Sequence, residues 1–201
     1  WGWQQGCMLQ WVPGTASTIL YNTRKGDQHI AVLKDVFTGE ERTLPRAIYT
    51  LSPDGKTGLS INFARLQDCR PGYGYRGGVD AGAAEIAPEG DGIWRVDMAT
   101  GESTLLFSYA QIAAIPQAAQ PKGKHWFNHL LYNTDGTRFI FLHRAHVKPG
   151  EKKPWTTRMF TAGADGGGPH VVADHGMVSH FIWRDPSHIL AWSAEPDTGN
   201  K

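Results

Sequence analysis

Leu51-Ser52-Pro53-Asp54-Gly55 runs into Leu59-Ser60-Ile61, and Tyr132-Asn133-Thr134-Asp135-Gly136 runs into Phe139-Ile140-Phe141-Leu142. Trp11-Val12-Pro13-Gly14 before Ile19-Leu20-Tyr21, and Trp183-Arg184-Asp185-Pro186 before Ile189-Leu190-Ala191-Trp192, repeat the pattern. Each is a short apolar strand, a tight Pro/Asp/Gly turn and a second β-rich strand. A second motif lies between them: Val32-Leu33-Lys34-Asp35 leads into Thr38-Gly39-Glu40, and Trp94-Arg95-Val96-Asp97 into Thr100-Gly101-Glu102. Met159-Phe160-Thr161-Ala162 leads into Asp165-Gly166-Gly167 in the same way. These are hairpins whose turns need Gly, Asp or Asn at positive φ. One hairpin of each kind makes four antiparallel strands, and their recurrence at this spacing predicts an all-β chain, a β-propeller.

The repeat divides the chain into blades at 1–46, 47–119 and 120–175, with half a blade at 176–201. Closed propellers have typically four to eight blades. The expectation is therefore about three and a half four-stranded blades of a larger ring of about seven, with the remaining blades of the same protein as partner. A complete small β-sandwich is the alternative. A net charge of +1 gives no electrostatic case for nucleic acid or a membrane surface. No apolar run approaches the roughly 20 residues that span a bilayer. Cys7 and Cys69 have the spacing of neither a zinc site nor a disulfide framework. Bacterial cytoplasm and periplasm both remain open as the compartment.

With the first strand innermost, the short 1–2 and 3–4 turns share one face, and the long excursions at 65–92 and 145–154 share the other. Long loops on a rigid scaffold carry binding groups. Aligned on the residue before the 1–2 turn, Met8, Ile48, His129 and His180 occupy the same inner-strand position. The hairpin around Asp135-Gly136 predicts that His143 lies close to His129, with Asn22 and Asn62 at the position of His143 in the first two blades. The reading is a rim of His129, His143, His180, Asn22 and Asn62; each histidine could instead cap a strand end. His125, His146, His170, His175 and His188 read as solvated loop residues. Arg65, Arg70 and Arg144 end strands or begin loops, where they form surface ion pairs or clamp a carboxylate bidentately. Tyr73 and Tyr75 form either a sugar-stacking platform or a packed loop core.

The segments His129-Leu130-Leu131-Tyr132-Asn133-Thr134-Asp135, Phe141-Leu142-His143 and Val178-Ser179-His180-Phe181-Ile182-Trp183 resemble the oligogalacturonate lyase family. Outside residues 120–195 the chain resembles only the broader TolB/WD40-like bacterial propellers. The resemblance implies a seven-bladed propeller that binds a divalent metal, typically manganese, and cleaves uronate-containing oligosaccharides by β-elimination. It makes His129 a candidate general base, His143 a second member of the catalytic set and His180 a metal ligand. Family metal ligands beyond these fall in a later blade, and Arg144-Ala145 stands where the family has Glu-Gly.

Two readings follow. One is a propeller lyase acting on an acidic oligosaccharide, with Arg65, Arg70, Tyr73, Tyr75 and Arg144 contacting substrate. The other is a non-catalytic TolB-like propeller that binds a protein or glycan through its decorated face.

Overall fold

The computed structural model describes residues 2–117, 119–195 and 199–200. The first sheet holds β1 (Gln10–Trp11), β2 (Thr18–Lys25), β3 (Gln28–Asp35) and β4 (Glu41–Leu44). The second holds β5 (Thr50–Leu51), β6 (Thr57–Ser60), β7 (Gly92–Asp97) and β8 (Ser103–Ser108), with α1 (Phe63–Cys69) after β6 and α2 (Tyr109–Ala113) after β8. The third holds β9 (His125–Tyr132), β10 (Arg138–His146), β11 (Trp155–Gly163) and β12 (His170–Ala173). The fourth holds β13 (Val178–Asp185), β14 (His188–Glu195) and β15 (Gly199–Asn200). All pairing is antiparallel between sequence neighbours, which is the meander of a propeller blade.

The recurring turns form by one recurring chemistry. Asp54 Oδ1 accepts from the Ser52 hydroxyl and the Lys56 N–H, and Asp135 Oδ1 accepts from the Thr137 N–H and hydroxyl. Asp185 Oδ1 takes the N–H groups of Ser187 and His188. At the other hairpin ends, Asp35 Oδ1 takes those of Phe37 and Thr38, and Asp97 Oδ1 those of Ala99 and Thr100. Neighbouring turns touch: a Cβ on Gly55 would lie 2.4 Å from the Pro13 carbonyl oxygen, and one on Gly136 3.1 Å from Pro53 Cδ. The short turns therefore stack on one face, as the repeats predict.

The sheets pack in chain order through three apolar layers. Leu20, Leu33 and Leu44 of the first sheet meet Ile48, Val96 and Met98. Leu59, Ile93 and Phe107 of the second meet Phe127, Phe139 and Phe160. Ile140, Leu142 and Met159 of the third meet Val178 and Trp183. Sheet 3 is covered on both faces, so β10 is buried along almost its whole length. β13 is buried only at intervals, because one face of sheet 4 is uncovered.

The connections differ in one respect from expectation. α2 follows β8 behind a Ser108/Gln111 capping box, and α1 lies inside what reads as a loop. Asn62 caps α1 by accepting the Arg65 N–H, a single-residue signal that lacks the Glu or Gln of a capping box. Arg65 is thus helical, Arg144 lies within β10, and neither ends a strand.

Candidate functional site

A cavity of about 420 Å³ opens at the long-loop end of the inner strands. His129 and His180 line it, with Arg70, Arg144, Tyr73, Tyr49, Gln5, Met8 and Phe181 among the other wall residues. Both histidines sit in β-bulges. Asn128 faces Leu142 and Leu131 faces Ile140, so His129 and Leu130 share Phe141 as partner. Ser179 faces Trp192 and Phe181 faces Ala191, which leaves His180 as the inserted residue. Their φ angles are +54° and +35°, a left-handed backbone uncommon outside glycine. Ring contacts orient His129 edge-on to Tyr73 and Phe181. The His129 backbone N–H donates to Tyr49 Oη at 2.8 Å, and that hydroxyl donates to Gln5 Oε1 at 2.7 Å. Tyr49 and Gln5 carry no motif, so only the assembled sheets reveal them.

The charged lining is cationic. Arg144 donates from Nε to Thr157 Oγ1, while its buried Nη1 has no partner among the described residues. Arg70 lies over the rings of Tyr73 and Trp155 and donates from Nη2 to Tyr73 Oη; its buried Nε likewise has no partner among the described residues. Among the described residues no Asp or Glu lines the cavity. Burial, reinforced by Arg70, lowers Arg144 to about 10, so it stays charged at neutral pH. Burial also lowers His129 to about 4, aided by Arg144, His180 and Arg70, so its imidazole is neutral. Burial raises the Tyr49 hydroxyl to about 12.

Three expected site residues lie elsewhere. His143 pairs with Phe127, not His129: with Ile140 opposite Leu131 an unbulged ladder would already set it across from Asn128, and the bulge moves it one residue further. Its side chain enters the sheet 2–sheet 3 core, with Nε2 2.8 Å from His125 Nδ1. The Arg158 Nε and Nη2 groups lie 3.3 and 3.1 Å from His143 Nδ1. An arginine can only donate, so Nδ1 accepts and Nε2–H donates to His125. Arg158 also holds the carbonyls of Ile112 and Ile115, tying α2 to sheet 3. Arg65 is fully buried: it donates to the carbonyls of His125, Gly82, Glu85 and Ile86 and pairs with Asp80 at 3.3 Å, leaving nothing for a ligand. Tyr75 stacks on Phe63 at 4.3 Å and accepts from Asn22 Nδ2, the packed-core alternative rather than a platform.

The asparagines also leave the rim. Asn22 is buried and brackets the Ile48 backbone with bonds of 2.8 Å to its carbonyl and from its N–H, while Asn62 caps α1 and donates to Asp80 and Asp91. His125 and His146 are not loop residues; both are buried strand residues, and His146 Nε2 lies 3.1 Å from the Cys69 carbonyl. A larger cavity, about 680 Å³ between sheets 1 and 2, is bordered by Asp91, Arg46 and His29. Those three side chains already bond Asn62 and Trp94, Ser103, and the Arg76 carbonyl respectively.

The sheets define a partial β-propeller, and solved structures agree. An acylaminoacyl peptidase from Pyrococcus horikoshii is 13% identical with a TM-score of 0.56, covering 96% of this chain and 29% of its own. An acylaminoacyl peptidase in complex with Z-Gly-Gly-Phe-chloromethyl ketone is 12% identical with a TM-score of 0.57, covering 96% and 29%. An oligogalacturonate lyase in complex with manganese is 19% identical with a TM-score of 0.53, covering 92% of this chain and 49% of its own. This chain thus spans less than half the length of each. At these identities the likeness is one of fold. No family model and no curated protein matches the sequence.

Manganese in that lyase structure raises the question of a cation here. Among the described residues no three His, Cys, Asp or Glu side chains cluster as a metal site. The donors beside His180 are neutral, and Arg70 and Arg144 put positive charge on the same cavity. Divalent manganese favours carboxylate, carbonyl and water oxygens, so these residues do not by themselves fit it.

Proposed function

We propose that the cavity holds the carboxylate of an acidic oligosaccharide between Arg70 and Arg144, with His129 as proton acceptor in a β-elimination. One observation carries this reading. Among the described residues two arginines and no acids line the cavity, and each arginine has a buried N–H without a partner. A buried donor without a partner is costly, and a carboxylate supplies charge-assisted bonds of the right geometry.

Ligand binding also prepares the base. Burial and the Arg144 charge hold His129 low, and a carboxylate on Arg144 neutralises part of that field, so the imidazole becomes more basic. It then takes the proton α to the carboxylate. The C–H electrons form the new double bond, the β C–O bond breaks, and the leaving oxygen is protonated from solvent. The arginines stabilise charge that develops on the carboxylate as it becomes enolate-like.

The 4,5-unsaturated product absorbs in the ultraviolet, so the full-length protein incubated with oligogalacturonates reports directly. His129→Ala should abolish the absorbance rise while retaining binding. No product, with binding intact, leaves the non-catalytic reading.

We infer also that further blades of the same protein cover the open sheet faces. Ile182, Leu190 and Trp192 are 55%, 70% and 50% exposed on sheet 4, and Trp11 is 62% exposed on sheet 1.

A further inference from the structure

Among the described residues four non-glycine positions have a left-handed backbone: Met8, Gln120, His129 and His180. Gln120 lies in a connecting segment, whereas the other three repeat one feature. The Asn22 N–H donates to the Cys7 carbonyl and Gln10 faces Leu20, so Met8 and Leu9 lie opposite Tyr21 alone. This is the inner-strand bulge of His129, and it carries a φ of +55° against +54°. Sheet 2 lacks it: Asn22 clamps Ile48 in its place.

A side chain in this conformation is strained, and such strain persists where surrounding structure imposes it, commonly at ligand sites. Glycine would adopt the same bulge freely. Met8, His129 and His180 are all side chains turned to the same 420 Å³ cavity. Arg70 and Arg144 give that cavity a cationic part, and Gln4, Gln5 and Met8 give it a neutral one. A uronate has the matching asymmetry, with a carboxylate on one edge and apolar C–H faces on its ring.

We propose that Met8 is a specificity-determining residue of this cavity, held in its bulge to pack its flexible thioether against the uncharged face of a uronate ring whose carboxylate lies on the arginines. This rests on the carboxylate reading above. Thioethers suit such a contact because they are polarisable and adapt to irregular surfaces.

The test compares Met8→Ala, Met8→Gly and Met8→Leu in the full-length protein, with trigalacturonate as probe in calorimetry. Alanine and glycine both delete the side chain, so their difference in melting temperature reports the backbone alone. In an ordinary strand alanine is the more stable; here the glycine variant should melt about 2–4 °C higher. Both should weaken trigalacturonate binding about fivefold, the loss of roughly one packed apolar group, while leucine retains it. Alanine melting at or above glycine overturns the strained bulge. Unchanged affinity in both deletions overturns the contact, because a merely structural Met8 would alter melting and leave binding alone. Wild-type protein that fails to bind trigalacturonate overturns the carboxylate reading and this inference with it. Wild-type binding with insensitive variants overturns this inference only.

Discussion

Arg144 and His143 are adjacent on β10 and point to opposite faces of sheet 3, so their fates differ completely. Arg144 lines the cavity, while His143 is locked between His125 and Arg158. The period of a strand is two, so their faces follow from β10 alone, while one inserted residue at His129 exchanges the faces of the β9 residues before it relative to those after it. No local feature of the sequence announces that insertion. His129, His180, Arg70, Arg144 and Tyr73 were legible as a group because inner-strand position and loop length survive small register errors; His143, Arg65 and Tyr75 were not. Arg144→Met should weaken trigalacturonate binding by about 30-fold, the equivalent of one charged hydrogen-bond set at roughly 2 kcal/mol. Calorimetry at low and high salt checks it, since the lost component should be the salt-sensitive one.

Histidine burial has a second consequence. His125 and His129 are both lowered to about 4 by burial, and His143 is lowered well below its ordinary 6.5 by the same cause. The titratable groups acting on them are Arg158, Arg65 and His146 for His125; Arg144, His180 and Arg70 for His129; and His125 with Arg158 for His143. Every one disfavours the imidazolium. Between 6.5 and about 4 the unfolded chain binds protons that the folded chain refuses, so stability rises with pH across that window and falls as pH drops through it. Melting temperature measured from neutral pH down to the lower value should decline steeply. His129→Gln should flatten the slope by about one proton. An unchanged slope would show that His129 binds protons equally in the folded and unfolded chain.

At the scale of elements, turns were readable and cross-sheet clamps were not. An Asp followed by Gly satisfies its turn within a few residues, so Asp54-Gly55 and Asp135-Gly136 declare themselves locally. α1 is held in place by contacts far away in sequence. Arg65 reaches 60 residues to the His125 carbonyl and fixes the 80–86 segment through its remaining bonds. Arg65→Met keeps the length of the side chain and removes every donor, leaving Asp80 and several buried carbonyls unpaired. It should cost about 3–5 kcal/mol, read as a lowered denaturant midpoint. Tyr49→Phe is a milder break of the same type. It orphans the His129 N–H, with an expected cost of about 1–3 kcal/mol, and it should slow turnover of oligogalacturonate more than it weakens binding, because it frees the bulge that aims the imidazole.

For the molecule as a whole, the decisive contrast is between covered and open sheets. Sheet 3 is buried on both faces, whereas sheet 4 presents Ile182 directly opposite Leu190, with Trp192 beyond them, all at least half exposed. In a ring, each blade's face is buried by the next one, through layers such as Phe127 with Phe107 or Ile140 with Trp183. The open face of sheet 4 has the same apolar character as those layers, and a patch of that kind on a soluble chain draws a partner. The 201-residue chain expressed alone should therefore self-associate, with a sedimentation coefficient that rises with concentration. Leu190→Lys with Trp192→Lys should return it to a monomer, since two charges on the patch oppose burial against a second copy. Substituting Phe37, 83% exposed on a turn between β3 and β4, should change nothing, because isolated surface apolar residues are ordinary. A chain that sediments as a monomer at every concentration would show that this face is stable in water, and the further blades would lose their physical basis.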